Sequence, residues 1–250
     1  MKRRFLYNTI GLLFILVFIG VTLGFTAAER KKILLNNLQI VFDEPYRFIN
    51  EAEIESLVSR KFKGLRGAQI DTINTRSIEN KIEELAWVKN AEVFKTYVFN
   101  DSLSNKGRLR IRIEQEKPVM RVVDDNGGFY LNVNGKKMPI SSHHTVSVPV
   151  FTGSISDIKL QQQLLPFVNF INADPFWKAL FQQVQVEPNG ELILIPRIGD
   201  HQIDFGKAEN IELKLRNLKL VYTEGFKGDA WSKYRTVSLK NKNQVVCTLR

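Results

Sequence analysis

Cysteine is almost absent from this chain: Cys247 is the single one in 250 residues. A lone cysteine excludes an intrachain disulfide, so stability has to come from apolar burial. Cys247 lies in a strand-like run and reads as a packed small residue, not a reactive thiol. Histidine is also scarce, with His143, His144 and His201 the three copies. Adjacent side chains in a strand point to opposite faces, so His143 and His144 do not converge on one ion. No H-E-x-x-H occurs, and no metal site is expected. The chain has no glycine-rich phosphate loop and no zinc-finger or RNP-type motif, so nucleic acid is not an expected partner. Ser156-Asp157-Ile158-Lys159 matches S-x-x-K, but the S-x-N and K-T-G companions are missing. Ser156 or Asp157 therefore reads as the cap of a helix starting at Ile158. Glu114 and Glu116, flanking Gln115 and followed by Lys117, read as solvated charges. Neither catalysis nor a cofactor is expected.

Acid is outnumbered by base. The net charge is +10, and Lys2, Arg3 and Arg4 supply three of those charges. Such a balance suits anionic headgroups or acidic wall polymers, and equally serves plain solubility. Those three residues precede an apolar stretch, Phe5 to Ala28, whose centre from Ile10 to Phe25 carries no charge. About 20 apolar residues cross a bilayer as a helix, so a transmembrane helix is expected over 5–28 after a cytoplasmic tail over 1–4. The positive-inside bias puts the N-terminus in the cytoplasm and the rest beyond the cytoplasmic membrane. The alternative is a signal peptide cleaved near Thr26-Ala27-Ala28.

Beyond the apolar stretch, 44% hydrophobic and 10% aromatic residues are a globular composition. Leu38, Ile40 and Phe42 alternate as a strand. Asn50 and Glu53 form a capping box for a helix reaching about Lys63, closed by Gly64 and Gly67. A second helix from Asn74 or Thr75 carries Ile78, Ile82, Leu85 and Val88 on one face. Ala91–Lys95 and Arg108–Glu114 read as strands around a polar loop, Asn100–Gly107. In the second strand Leu109, Ile111 and Ile113 alternate with three arginines, so one face is buried and one is wet. Strand, helix, helix, strand, strand makes a small α+β unit, 29–117 with its core in 33–117.

Pro118 opens a second domain over 118–250, a mixed β domain with packed helices. Its expected strands are Val119–Val123, Phe129–Leu131, Val146–Phe151, Val184–Val186, Leu192–Ile195, Gln202–Phe205, Thr236–Leu239 and Gln244–Leu249. Turns are signalled by Asp125-Asn126-Gly127-Gly128, Asn134-Gly135, Pro188-Asn189-Gly190 and Asn241-Lys242-Asn243. Helices are expected over Ile158–Ile171, bent or interrupted by Pro166, over Phe176–Phe181 behind Asp174-Pro175, and along Ile211, Leu215, Leu218 and Tyr222.

The segment Leu85-Ala86-Trp87-Val88-Lys89-Asn90-Ala91-Glu92-Val93, followed by a basic strand into Glu114…Glu116-Lys117-Pro118, resembles the POTRA domain of the FtsQ/DivIB cell-division family. Leu85, Trp87, Val88, Ala91 and Val93 are its motif positions and are read as mainly structural. Tyr130-Leu131-Asn132…Gly135…Met138-Pro139, Pro149-Val150-Phe151-Thr152-Gly153 and Ile203-Asp204-Phe205-Gly206 resemble later markers of the same family. Trp177, Trp231 and the Gln244-Val245-Val246-Cys247 ending look like its Bacteroidetes-type branch. The resemblance implies a non-enzymatic, single-pass protein of the inner membrane at the division septum, with periplasmic C-terminal domains. It implies FtsB-like and FtsL-like bitopic partners and, through them, regulation of an FtsW/FtsI-type septal peptidoglycan synthase. A POTRA-type periplasmic chaperone or assembly factor for exported polypeptides is the alternative.

Gln244, Val245, Val246, Cys247, Thr248 and Leu249 form the last strand, which is expected to have one sheet neighbour. Its run carries no charge and no proline to blunt an open edge. Val245, Cys247 and Leu249 are expected to pack inward. The same edge is where the resemblance puts the FtsB-like partner, with Tyr234 and Trp231 adding specificity.

Overall fold

The computed structural model describes residues 11–24, 33–98, 106–123, 127–226, 228, 230–241 and 244–250. The chain forms two compact units that divide between Gln115 and Glu116.

The expected transmembrane helix needs correcting. Helix is described over residues 11–24. Among the described residues, no helix is long and apolar enough to cross a membrane. Hydropathy alone gave the longer span; the remainder of 5–28 lies outside the described residues.

The first unit is α+β. Strand β1 (Leu34–Phe42) lies parallel to β3 (Lys106–Gln115), and β2 (Val88–Val98) lies antiparallel to β3, in the order β1-β3-β2. The Glu51–Lys61 helix starts at Asn50, whose Oδ1 accepts from the Glu53 N–H at 2.8 Å, and Glu53 reaches back to the Asn50 N–H at 3.3 Å. The Thr75–Glu83 helix is capped by Asn74, which accepts from the Ser77 N–H. Ile54, Ile78 and Ile82 from these helices are buried with Leu109, Ile111 and Ile113 of β3. Alternation in β3 thus sends its apolar set to the helices and its arginines outward, as the pattern implied. In β1 a register shift between Leu35 and Asn37 interrupts alternation. Leu35 and Phe42 are buried, while Leu38 and Ile40 are half-buried. Most of the expected Asn100–Gly107 loop lies outside the described residues, and Gly107 itself belongs to β3.

Polar side chains tie 43–49 to the end of β3. Gln115 is fully buried: its Oε1 accepts from the Phe48 N–H at 2.9 Å and its Nε2 donates to the Tyr46 carbonyl at 2.7 Å. Glu44 accepts from the Gln115 N–H at 3.1 Å. Each buried polar group is thereby paired instead of carrying an uncompensated desolvation cost.

The second unit is built on a nine-stranded mixed sheet ordered β12-β11-β10-β9-β8-β7-β4-β5-β6. Its strands are β4 (Pro118–Val122), β5 (Phe129–Asn132), β6 (Lys137–Pro139), β7 (Val150–Gly153), β8 (Phe181–Val186), β9 (Leu192–Pro196), β10 (Gln202–Gly206), β11 (Tyr234–Ser238) and β12 (Val246–Leu249). The core places Phe151, Phe181 and Phe205 of the sheet with Phe167 and Leu218 of the helices.

Four expectations shift here. The strand placed over Val146–Phe151 begins only at Val150. β6 was not foreseen; it is three residues long and contains a proline. The helix through Pro166 does not simply bend: Asp157–Lys159 and Leu165–Ala173 are α-helical, and Leu160–Leu164 between them widens to π geometry. Pro166 has no N–H to give the preceding turn, and a π-turn absorbs the change in register. Glu116 is not solvated: it is 6% exposed, accepting from Asn132 Nδ2 at 2.9 Å and from Lys136 Nζ at 3.1 Å.

The glycine ending the Pro149–Gly153 marker has a steric reason. Gly153 has φ of +98°, and a Cβ there would sit 2.2 Å from the Val186 carbonyl oxygen. β7 and β8 can run side by side at this point only without a side chain.

Candidate functional site

β12 begins at Val246, so Gln244 and Val245 of the expected strand precede it; it ends the sheet, and β11 is its single strand neighbour among the described residues. The pairing is antiparallel, with Ser238 opposite Val246, Val237 opposite Cys247, Thr236 opposite Thr248 and Tyr234 opposite Leu249. Arg235 is the extra residue at the register shift between Tyr234 and Thr236.

Two hydrogen bonds orient the edge. The Arg250 N–H donates to the Lys233 carbonyl at 3.1 Å. N–H groups two residues apart along a strand point the same way, so those of Val246 and Thr248 also face β11. On β11's other side the Leu239 N–H donates to Asp204 of β10 at 2.8 Å. By the same alternation Thr236 and Ser238 direct their N–H groups at β12, which agrees. Within β12 the N–H groups of Cys247 and Leu249 therefore point away from the sheet, toward any strand added beside it.

The side chains divide differently. Val245 and Cys247 are half-buried against the core. Gln244, Val246 and Thr248 are exposed. Leu249, expected inward, is 64% exposed. Leu249 pairs with Tyr234, beyond the register shift at Arg235. Burial pushes the Cys247 thiol up from its ordinary value, which keeps it protonated and unreactive at neutral pH.

An aromatic cluster supports the start of β11. Tyr234 stacks on Phe226 with ring centroids 5.4 Å apart, and Phe226 meets Tyr222 edge-on at 5.4 Å. The Tyr222 hydroxyl lies 2.5 Å from His201 Nε2. His201 is 1% exposed, and its Nδ1 has no hydrogen-bond partner. Burial pushes the imidazole below its usual value, Arg250 adds to that, and Asp200 opposes it. Burial likewise pushes the Tyr222 phenol far up, so it stays neutral. Trp231, in the helical turn Ala230–Lys233, is half-buried beside Gly199, where a Cβ would lie 2.8 Å from both Trp231 and His201. Sequence reasoning placed Tyr222 inward and named Tyr234 and Trp231, but missed His201 and Phe226. No local pattern marks them, because they meet Tyr234 only through the tertiary fold.

Beside Gln244 opens a cavity of about 290 Å³, with Glu191, Lys207, Asn210, Lys214 and Lys240 among its lining. Lys240 pairs with Glu191 at 2.8 Å and with Asp204 at 3.2 Å. Their hydrogen bonds hold the Lys240 ammonium up and the Glu191 carboxyl down. Lys214 donates to the carbonyls of Phe205 and Lys207, and burial lowers its ammonium. These cations are committed to holding the turn region behind the edge.

The motif residues of the first unit are packing residues. Trp87, Val88, Ala91 and Val93 are buried, and Leu85 is half-buried against the same core. Trp87 lies in the turn before β2, its ring stacked on Phe48 at 4.0 Å and 8°. The S-x-x-K match resolves as a cap: Ser156 accepts from the Lys159 N–H, while Lys159 Nζ donates to the carbonyls of Ser154 and Pro188.

β2, also an edge strand, is covered along part of its length. Glu79 accepts from the Val93 N–H at 2.9 Å and Glu83 from the Ala91 N–H at 3.3 Å. Carboxylates on the Thr75–Glu83 helix thus occupy donors that an added strand would need.

Two family models match the chain. One, described as FtsQ/DivIB, C-terminal related, covers residues 117–248. The other, a POTRA-like domain, covers residues 36–100. No curated protein matches. With more than half of its length under the first model, and the POTRA-like unit ahead of it, the chain belongs to the FtsQ/DivIB family of cell-division proteins.

Proposed function

We propose that the chain is a divisome scaffold whose edge strand β12 receives an extended segment of an FtsB-like protein. Strand addition supplies affinity through backbone hydrogen bonds and specificity through alternate side chains. The observation that carries this reading is the outward N–H groups of Cys247 and Leu249, on an edge that among the described residues has one neighbour. Exposed Val246 and Leu249 offer apolar cover to such a strand, and Tyr234 and Trp231 sit at its far end.

The partner subcomplex includes an FtsL-like protein, and through it the scaffold acts on an FtsW/FtsI-type septal synthase. The two folded units work on the periplasmic side at the septum. Depletion in growing cells tests the role: filaments with unfinished septa are expected. Normal septation with defects in outer-membrane assembly would instead point to a chaperone for exported polypeptides.

A further inference from the structure

Arg108, Arg110 and Arg112 alternate with the buried residues of β3 and share the outer face of the three-stranded sheet. The face is electrically split. At one end Arg112 Nε pairs with Asp43 at 2.7 Å and its Nη1 lies 3.7 Å from Glu92. Glu114 pairs with Lys89 at 2.7 Å. At the other end, Arg108 and Arg110 have no carboxylate partner among the described residues. Arg108 Nη1 donates to Gln39 Oε1 at 3.3 Å, and its Nε is buried without an acceptor. Their cross-strand neighbours are Asn37 and Thr96 for Arg108, and Gln39 and Phe94 for Arg110. None is acidic. Phe94 is 47% exposed in the same half of the face.

We propose that this half-face docks an acidic polypeptide segment, a surface separate from the β12 edge. A guanidinium presents a planar fork that fits a carboxylate in bidentate fashion. Arg108 and Arg110 are two residues apart on one strand, roughly 7 Å. Alternate carboxylates of an extended peptide have the same spacing, so two of them meet both arginines at once. An apolar side chain one step further covers Phe94, and the amides of Asn37 and Gln39 suit a peptide backbone; the Thr96 hydroxyl donates to the Arg108 carbonyl at 3.0 Å. A lipid surface supplies the negative charge but not this pattern of amide and apolar contacts.

The test uses the full chain and a fluorescein-labelled peptide, Ser-Glu-Ser-Glu-Ser-Leu-Ser-Glu, followed by anisotropy. Saturable binding that weakens as salt rises is expected. Arg108→Gln with Arg110→Gln should raise Kd at least tenfold. Arg60→Gln with Arg216→Gln, which removes the same charge elsewhere, should change it less than twofold. No saturable binding, or equal loss in both pairs, overturns the proposal. It is overturned equally if the Arg108/Arg110 variant leaves peptide binding intact while losing binding to phosphatidylglycerol vesicles, which would make the face a membrane contact.

Discussion

Trp87 is the most recognisable residue of the POTRA segment, and the structure gives it a packing role that can be measured. It is 5% exposed, and its ring lies nearly parallel to Phe48, itself 3% exposed. Trp87→Ala removes the side chain and uncovers Phe48. Emptying a buried Trp or Phe site costs about 3–5 kcal/mol, depending on how far the surroundings collapse. Gln115 holds the Phe48 N–H in place, so collapse is restricted and the upper half of that range is expected. Trp87→Phe keeps an aromatic stack, worth about 0.5–1.5 kcal/mol beyond burial, and should cost less than half as much. Hydrogen exchange read by mass spectrometry assigns the loss to one unit. At 1.4 kcal/mol per decade, the slowest amides of β2 and β3 should exchange roughly three to three and a half decades faster in Trp87→Ala. Those of β8 and β9 should not change. Unchanged exchange in β2 and β3 would refute the packing role.

Other variants probe separate parts of the account. Gly153→Ala forces a side chain into φ of +98° against the Val186 oxygen, and should lose about 1–3 kcal/mol from backbone strain alone, read as a lower midpoint in urea at constant slope. His201 gives a pH signature. Its folded-state value is depressed, so between that value and the ordinary one near 6.5 the unfolded chain holds more protons, and stability falls as pH drops below about 6.5. His201→Gln should flatten the wild-type difference in unfolding free energy between pH 7.5 and 5.5; an unaltered difference would assign the effect to other groups.

Much of this fold was legible because the relevant interactions are local or periodic. The Asn50–Glu53 box lies within four residues, and β3 declares its faces by strict alternation. What escaped notice depends on partners distant in sequence. Gln115 looks like one more polar residue in a charged run, yet it is buried because Tyr46 and Phe48 present backbone groups to it. Glu116 looked solvated for the same reason, since Asn132 and Lys136 become its partners only when β5 folds back. The last strand was legible as an edge, but not its side-chain directions at Leu249, because the shift at Arg235 lies on the neighbouring strand. The expected crossing helix rested on hydropathy, and among the described residues no helix is long and apolar enough to cross a membrane. In the candidate site, Tyr234 and Trp231 were visible as aromatics near the terminus, whereas His201 and Phe226 were hidden until β10 and β11 were brought side by side.

The docking edge is the central claim, and proline substitution reaches it most directly. Proline at an outward position removes a donor that the sheet does not use; at an inward position it breaks the ladder to β11. Binding of the full chain to the periplasmic segment of the proposed FtsB-like partner should be measured by calorimetry, with circular dichroism on the same samples. Cys247→Pro should keep the fold and lose binding, whereas Val246→Pro should lose structure in β12 as well. If Cys247→Pro folds and binds the partner at wild-type affinity, β12 is not the docking edge.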